Sequence, residues 1–359
     1  MRILHVTEAS GAGTLHVVRW LGERHALADH EVAIALGRRP QTPPEPREGL
    51  PEAVTVLELP WERRSAKAQL TAGRALRALA AAWRPDLVHL HSSFAGVVGS
   101  AALGRRLPVV YTPHGWASAR TDLPRARLAA LRAVEHGLAR RCAVIGAVSE
   151  AEAAHAREVL NAPRVAVVGN GIPELEPGRR PAVPERRGRP RVVVLGRVCP
   201  QRRPAAAARI LAAVRGQADV EWIGSATSAE GESLSRAGVS TTGWLSHEQA
   251  LERLAGATVL LHWSAWDGAP LAVLEAVARD VVVVASDIPA NAELLGAAGV
   301  EPDEGAAIDA IRRLLADPQG LVDRLAEQRV RTAGRTAARM AEAWLALYFR
   351  VLADRAVGR

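Results

Sequence analysis

Four short stretches carry side chains suited to hold a phosphorylated or hydroxyl-rich ligand. Gly196-Arg197 opens a run that continues through Arg202 and Arg203. A guanidinium on a glycine-started turn suits phosphate, because its planar fork donates paired, charge-assisted hydrogen bonds. The plainer reading is an exposed basic turn. Asp267 and Glu275 flank Gly268-Ala269-Pro270-Leu271. The first acid falls in a loop and the second in the second turn of a helix. Two carboxylates so placed could grip two parts of one ligand, or could be a cap and a surface acid. Pro270 is tolerated in a first helical turn, so the amides there would be free to meet an anion. His114-Gly115 follows an apolar run, which puts a histidine at a strand's carboxyl end with room for close approach. A lone histidine in such a loop is more often structural. Gly11, Ala12, Gly13, Thr14 and His16 lie between the first apolar run and the first helical stretch. They lack the last glycine of a dinucleotide fingerprint, since position 16 is His, and the second strand runs into Gly37-Arg38-Arg39 with no acid. A nicotinamide site is therefore disfavoured against a ligand-free tight turn or a loop facing a ligand.

The elements that must position these residues follow from the apolar pattern. Strands are expected at 3–6, 31–36, 54–58, 86–91, 108–112, 142–148 and 165–168, then at 191–195, 220–223, 258–262 and 281–285. Helices are expected near 14–28, 63–83, 94–106, 123–140 and 149–161, then near 203–215, 246–256, 269–279 and 305–316. A single helical tail is expected over 329–352. Ser149-Glu-Ala-Glu152 has the spacing of a capping box. Strands alternating with helices argue for parallel sheets covered on both faces. Residues 173–190 hold five prolines and five arginines, and read as a linker. The organisation is an N-terminal domain over 1–172, the linker over 173–190, a C-terminal domain over 191–328, and a helical tail over 329–359 that packs back on the first domain. The fold class is α/β, two doubly wound Rossmann-like domains facing across a cleft. Ligands of such sheets sit at the carboxyl ends of the strands.

Composition narrows the class. At 359 residues the chain is long enough for two domains. Cys142 and Cys199 are its only cysteines, which excludes a disulfide framework and a cysteine zinc site and fits a reducing compartment. No apolar run approaches a membrane span, and Glu8 comes too soon for a signal peptide. The net charge is +8, and the first 180 residues hold 24 basic against 17 acidic groups. The basic excess is therefore N-terminal, where it can attract an anionic partner. Only two Tyr and two Phe are present, which argues against nucleic acid read by stacking. In the helix over 63–83, Arg63, Lys67, Arg74 and Arg77 share one face, and Ala72, Leu76, Leu79 and Trp83 the opposite one. The stripe reads as a solvated face or as a dock for an anionic membrane.

Taken in order, these motifs resemble the retaining GT-B glycosyltransferases, specifically the large sucrose-synthase-like family often called family 4. Asp86-Leu-Val-His-Leu-His91, Pro-His114-Gly115, Ser149-Glu and Asn170-Gly171 look like its N-terminal domain. Gly196-Arg197, Gly243-Trp244-Leu245, Asp267-x7-Glu275 and Ser-Asp287 look like its donor domain. The match runs through nearly the whole chain. Asp267 stands where the family has Glu, Arg202 where it has Lys, Asp280 where it has Gly, and Gly169 where it has Pro.

The resemblance implies a nucleotide-sugar donor held by the C-terminal domain. Arg197 and Arg202 would neutralise its diphosphate. Asp267, with the backbone of Gly268, Ala269, Pro270 and Leu271, would hold the sugar, and Glu275 the ribose. His114 would touch the donor sugar, so His114 and Asp267 are the catalytic candidates. The loop of Gly11 to Thr14 and His16 would serve the acceptor. The donor is expected to be a UDP-sugar, with GDP-sugars next. The acceptor is expected to be a glycan, a lipid-linked or a small molecule, and the location cytoplasmic, with peripheral contact at the inner face of a membrane. No Asp-x-Asp pair is present, so no metal and no cofactor is expected. A GT-B sugar-nucleotide epimerase and a non-catalytic sugar-nucleotide-binding scaffold are the alternatives.

Overall fold

A computed structural model describes the chain except residues 10–11, 38–46, 48–49, 62–64, 105, 176–187, 227 and 359. The expected Gly11, Arg63 and most of the 173–190 linker lie outside the described residues. The chain divides into two compact units. The first comprises Met1–Ala119, Leu123–Pro173 and Arg335–Arg359, and the second Arg120–Asp122 and Glu174–Gly334.

The N-terminal unit alternates β1 (Arg2–Thr7), α1 (Ala12–Leu27), β2 (Glu31–Gly37), β3 (Val54–Leu59), α2 (Ala66–Trp83), β4 (Leu87–His91), α3 (Ser93–Leu103), β5 (Val109–Thr112), α4 (Arg125–Ala139), β6 (Val144–Ala147), α5 (Glu150–Ala154) and β7 (Val165–Val167). Its seven strands are parallel, in the order β3-β2-β1-β4-β5-β6-β7. The inner strands β1, β4 and β5 are buried along nearly their whole length, as expected of a sheet covered on both faces.

The C-terminal unit runs β8 (Arg191–Leu195), α6 (Pro204–Val214), β9 (Asp219–Ile223), α7 (Ser228–Arg236), β10 (Ser240–Thr241), α8 (His247–Ala255), β11 (Val259–His262), α9 (Leu271–Ala278), β12 (Val282–Ser286), α10 (Pro289–Leu295), β13 (Val300–Glu301), α11 (Glu304–Ala316) and α12 (Pro318–Thr332). Its sheet is also parallel, in the order β10-β9-β8-β11-β12-β13. The chain then returns to the first unit as α13 (Ala337–Ala356), which packs on α1.

Each expected strand is present within a few residues. The two-residue strands β10 and β13, and the helices α7 and α10, were not legible, because each is too short or too polar to show a period. The tail expected as one helix over 329–352 is broken at 333–336. Gly334 takes a φ of +76°, Thr336 pairs with Ile172, and the Thr336 hydroxyl accepts from the Arg339 N–H at 3.3 Å to start a new helix. The helix expected over 149–161 is one α-helical stretch followed by a π-helical turn, His155–Val159.

Only half of the capping box at Ser149 forms. Its hydroxyl accepts from Glu152 N–H at 3.1 Å, but the Glu152 carboxylate accepts from Val148 and Gly115, not from Ser149. The two unusual connecting residues have local partners. Asp280 adopts a φ of +63° after α9, and its carboxylate accepts from Arg329. A side chain at Gly169 would collide with the Arg335 guanidinium.

In both sheets the strand order reverses once, between β1 and β4 and between β8 and β11. The crevice at the carboxyl ends of such a strand pair is where open α/β sheets take ligands.

Candidate active site

In the C-terminal unit the reversal brings together the loops after β8 and β11, which hold most of the expected donor residues. Gly196 leaves β8 with a φ of +125°, a region that disfavours a side chain. Its carbonyl accepts from Trp222 Nε1 at 2.7 Å, and a Cβ at Gly224 would collide with it, so the turn is tightly seated. Arg197 projects from this turn, exposed, and bonds to no described residue. The loops are tied by Gln201, which accepts from Ala265 N–H at 2.8 Å and donates from Nε2 to the Trp266 carbonyl at 3.0 Å.

Arg202 is placed differently from Arg197. Its Nη1 donates to Asp267 Oδ2 at 2.7 Å and to Ser264 Oγ, and lies 3.1 Å from His262 Nε2. Asp267 Oδ1 accepts from the Gly268 N–H at 2.9 Å. Both oxygens of Asp267 are thus engaged inside the protein. Burial works to raise the Asp267 carboxyl, but Arg202 and His262 override it and hold the group well below the usual carboxylate range. Burial and Arg202 lower His262, against the opposing pull of Asp267. His262 and Ser264 were missed from sequence. The one available signal was the position of His262 at the end of an expected strand.

Pro270 precedes α9, with no side-chain cap on that helix. Glu275 lies on α9, 5% exposed, and burial pushes its carboxyl up to about 7 while Arg279 opposes the shift. Its Oε1 has no hydrogen-bond partner, although His247 Nε2 stands 3.3 Å away. Burial, aided by Arg279, lowers His247 to about 4. The pair is therefore without charge between about pH 4 and 7, where the carboxyl keeps its proton and the imidazole has shed its own, and the carboxyl ionises as the pH rises through 7. His247 was also missed from sequence.

In the N-terminal unit the loops after β1, β4 and β5 converge. Gly13, Thr14 and His16 lie half-buried in the first turns of α1, with the His16 and Trp20 rings stacked at 5.9 Å. Beside them, buried Glu8 accepts from Ser92 Oγ and from the N–H groups of Ala95 at 2.8 Å and Phe94 at 3.3 Å, so it caps α3. His114 follows β5 with a φ of +51°, uncommon for a non-glycine residue. Two buried acids hold its loop. Glu152 accepts from Gly115 N–H at 2.6 Å, and Glu135 from the N–H groups of Ala117 at 2.9 Å and Ser118 at 3.3 Å. Burial raises Glu135 despite those bonds. His114 itself is half-buried, and burial lowers it to about 4, which leaves a neutral imidazole.

Residues 12–171 match the glycosyl transferase 4-like domain, and residues 189–317 match the glycosyl transferases group 1 domain. No curated protein matches the chain. Among solved structures, a sucrose-phosphate synthase from Thermosynechococcus elongatus is 18% identical, with 99% of this chain and 100% of that one covered and a TM-score of 0.82. Anabaena HepE in complex with UDP and glucose is 16% identical, with 97% and 99% covered and a TM-score of 0.76. A trehalose-6-phosphate structure from E. coli, bound with UDP-2-fluoro glucose, is 13% identical, with 97% and 99% covered and a TM-score of 0.72.

Proposed function

Since the chain belongs to the GT-B glycosyltransferases, with a 4-like domain followed by a group 1 domain, we propose that it is a retaining enzyme moving a hexose from a UDP-sugar to a glycan, lipid-linked or small-molecule acceptor. The observation that carries this reading is the cation at the β8 turn. Arg197 stands exposed, with no bond to a described residue, at the point where the sheet order reverses. A diphosphate there would meet an unspent guanidinium. HepE binds UDP and UDP-glucose, which favours uridine as the base here too.

In this reading Arg197 is the main grip on the diphosphate. Arg202 adds positive field, but part of its fork is already spent on Asp267. Asp267 can hold a sugar hydroxyl only by sharing an oxygen now bonded to Arg202 or Gly268, so it acts first by orienting that loop. Glu275 offers Oε1, buried and without a hydrogen bond, to a ribose hydroxyl. His114 positions the donor sugar as a neutral imidazole. The leaving diphosphate accepts the acceptor's proton, and the cations and the α9 amides stabilise it without a metal.

The test pairs ligand binding with turnover. UDP and UDP-sugars should stabilise the protein in thermal unfolding, by roughly 2.7 kcal/mol at 100 times Kd, and GDP-sugars less. Arg197→Ala should weaken donor binding or turnover by about tenfold to a hundredfold, the loss of one charge-assisted hydrogen bond. Wild-type affinity and rate in that variant would remove Arg197 from the site. Donor consumption without any acceptor would favour an epimerase, and binding without turnover a scaffold. An anomeric product with inverted configuration would end the retaining reading.

Peripheral membrane contact is part of the proposal. No described helix is long and apolar enough to cross a membrane. Lys67 and Arg74 are exposed on α2, opposite buried Ala72 and Leu76, while Arg77 donates from Nε to the Ala102 carbonyl at 2.8 Å. Cosedimentation with anionic vesicles should be salt-sensitive and fall on reversing Lys67 and Arg74, each worth about 1 kcal/mol near such a surface. Equal recovery on neutral vesicles at low salt would reject the dock.

A further inference from the structure

His114 is the outer end of a histidine chain that runs into the core of the N-terminal unit. Its Nε2 lies 3.0 Å from Nδ1 of His91, and Nε2 of His91 lies 3.0 Å from Nδ1 of His5. His5 and His91 are fully buried. Burial lowers all three rings, with neighbouring histidines adding to the effect at His5 and His91. Each is therefore neutral near pH 7 and carries one ring proton.

Proton counting leaves two arrangements. Each nitrogen–nitrogen gap consumes one N–H, so two of the three protons lie inside the chain. The third sits at one end, and all three rings share a tautomer. If that form is Nε2–H, the last proton lies on Nε2 of His5, which is buried and has no partner. Orphaned buried N–H groups are rarer than unsatisfied acceptors. If the form is Nδ1–H, the last proton lies on Nδ1 of His114, at the half-buried end of the chain. No described residue bonds to that nitrogen.

We propose that His91, backed by His5, is a positioning residue that holds His114 in the Nδ1–H tautomer and so makes it a fixed donor toward a ligand oxygen. This rests on the reading that His114 meets the donor sugar, whose hydroxyl and phosphate oxygens can accept such a bond. His5, His89 and His91 also lie close enough for one nitrogen of each to fall within 4.8 Å of the others. They do not read as a metal centre. Both nitrogens of His91 are in the chain, and those of His89 bond to the Tyr348 hydroxyl at 2.5 Å and to Thr112 Oγ1 at 2.8 Å. An ion would break several of these bonds and bring charge to three residues that include no carboxylate.

Long-range proton–nitrogen correlation on protein labelled at histidine tests this directly. His5, His91 and His114 should all appear as neutral Nδ1–H rings, whereas free histidine favours Nε2–H. His91→Leu should return His114 to Nε2–H and lower kcat about tenfold, the scale of one lost hydrogen bond. His91→Asn, whose amide can stand where Nδ1 stood, should restore much of both. An Nε2–H ring at His114 in the wild type overturns the proposal, and that spectrum decides the matter even if His91→Leu does not fold. One tightly held zinc per purified chain also overturns it. Loss of turnover in His114→Ala with wild-type turnover in folded His91→Leu rejects the positioning role. Wild-type turnover in His114→Ala instead removes His114 from the site and leaves the spectroscopic result to stand on its own.

Discussion

Arg202→Ala should cost the C-terminal unit about 3 kcal/mol of stability, the lower end for breaking a buried ion pair. The Arg202 and Asp267 side chains are 16% and 13% exposed, so the stranded carboxylate would meet little water. It would keep the Gly268 N–H and His262, which do not replace a permanent cation. The sign with pH follows from the direction of the shift. Arg202 and His262 hold the native carboxyl below its unfolded value, so their stabilisation is present above about pH 4 and is lost as the pH falls further. Arg202→Ala should therefore lose most against wild type at neutral pH and progressively less in acid. Removing both partners, as Arg202→Ala with Asp267→Ala, should recover part of the loss, because no unpaired charge remains. Denaturant titrations of the four proteins check this. A loss under about 0.5 kcal/mol for Arg202→Ala at pH 7 would place the pair with solvated surface bridges.

Glu275→Gln should make the protein more stable and its nucleotide site weaker. Burial raises the native carboxyl to about 7, above its unfolded value of 4.5. The folded state therefore keeps a proton that the unfolded chain releases, and this contribution is lost as the pH rises from about 4.5 through 7. At pH 8 the native protein carries a buried charge that costs roughly 3 kcal/mol relative to the unfolded chain. Glutamine avoids that cost, so the variant should exceed wild type by about 2–3 kcal/mol at pH 8 and by little at pH 5. His247 changes in the opposite sense as the pH falls below 6.5, but it does so in both proteins and drops out of the difference. The same substitution should weaken binding of the free nucleoside diphosphate, while Asp267→Asn should leave that binding nearly intact and reduce turnover. A stability difference independent of pH would show that Glu275 is solvated. Equal nucleotide loss in both variants would contradict the division of roles.

These two expectations turn on contacts that no sequence pattern announces. What the sequence by itself determined is what depends on neighbours along the chain. Apolar runs such as Val281 to Ala285 and helical stretches such as Glu304 to Ala316 carry their period locally, so the elements and their alternation are legible. Alternation of strand and helix dictates parallel sheets, and the order of the motifs carried the family. It also placed Arg197, His114 and Asp267 in the loops that follow strands, and Glu275 in the helix after one, because ligand loops follow strands in such sheets.

Tertiary structure decided which of those side chains remain available. Arg197 and Arg202 belong to one motif, yet 65 residues of chain separate Arg202 from the acid that engages it, and Arg197 meets no such acid among the described residues. Glu152 looked like half of a capping box, but the loop of Gly115 comes from 37 residues away and offers its N–H to the carboxylate. His5 lies within β1, His91 ends β4 and His114 follows β5, and the three become one chain only when these strands lie side by side. The break at Gly334 is set by the pairing of Thr336 with Ile172, which local helix propensity cannot see. Local propensity follows from each residue and its near neighbours. Charge state and hydrogen-bond direction follow from burial and from partners, and those exist only once distant segments have met.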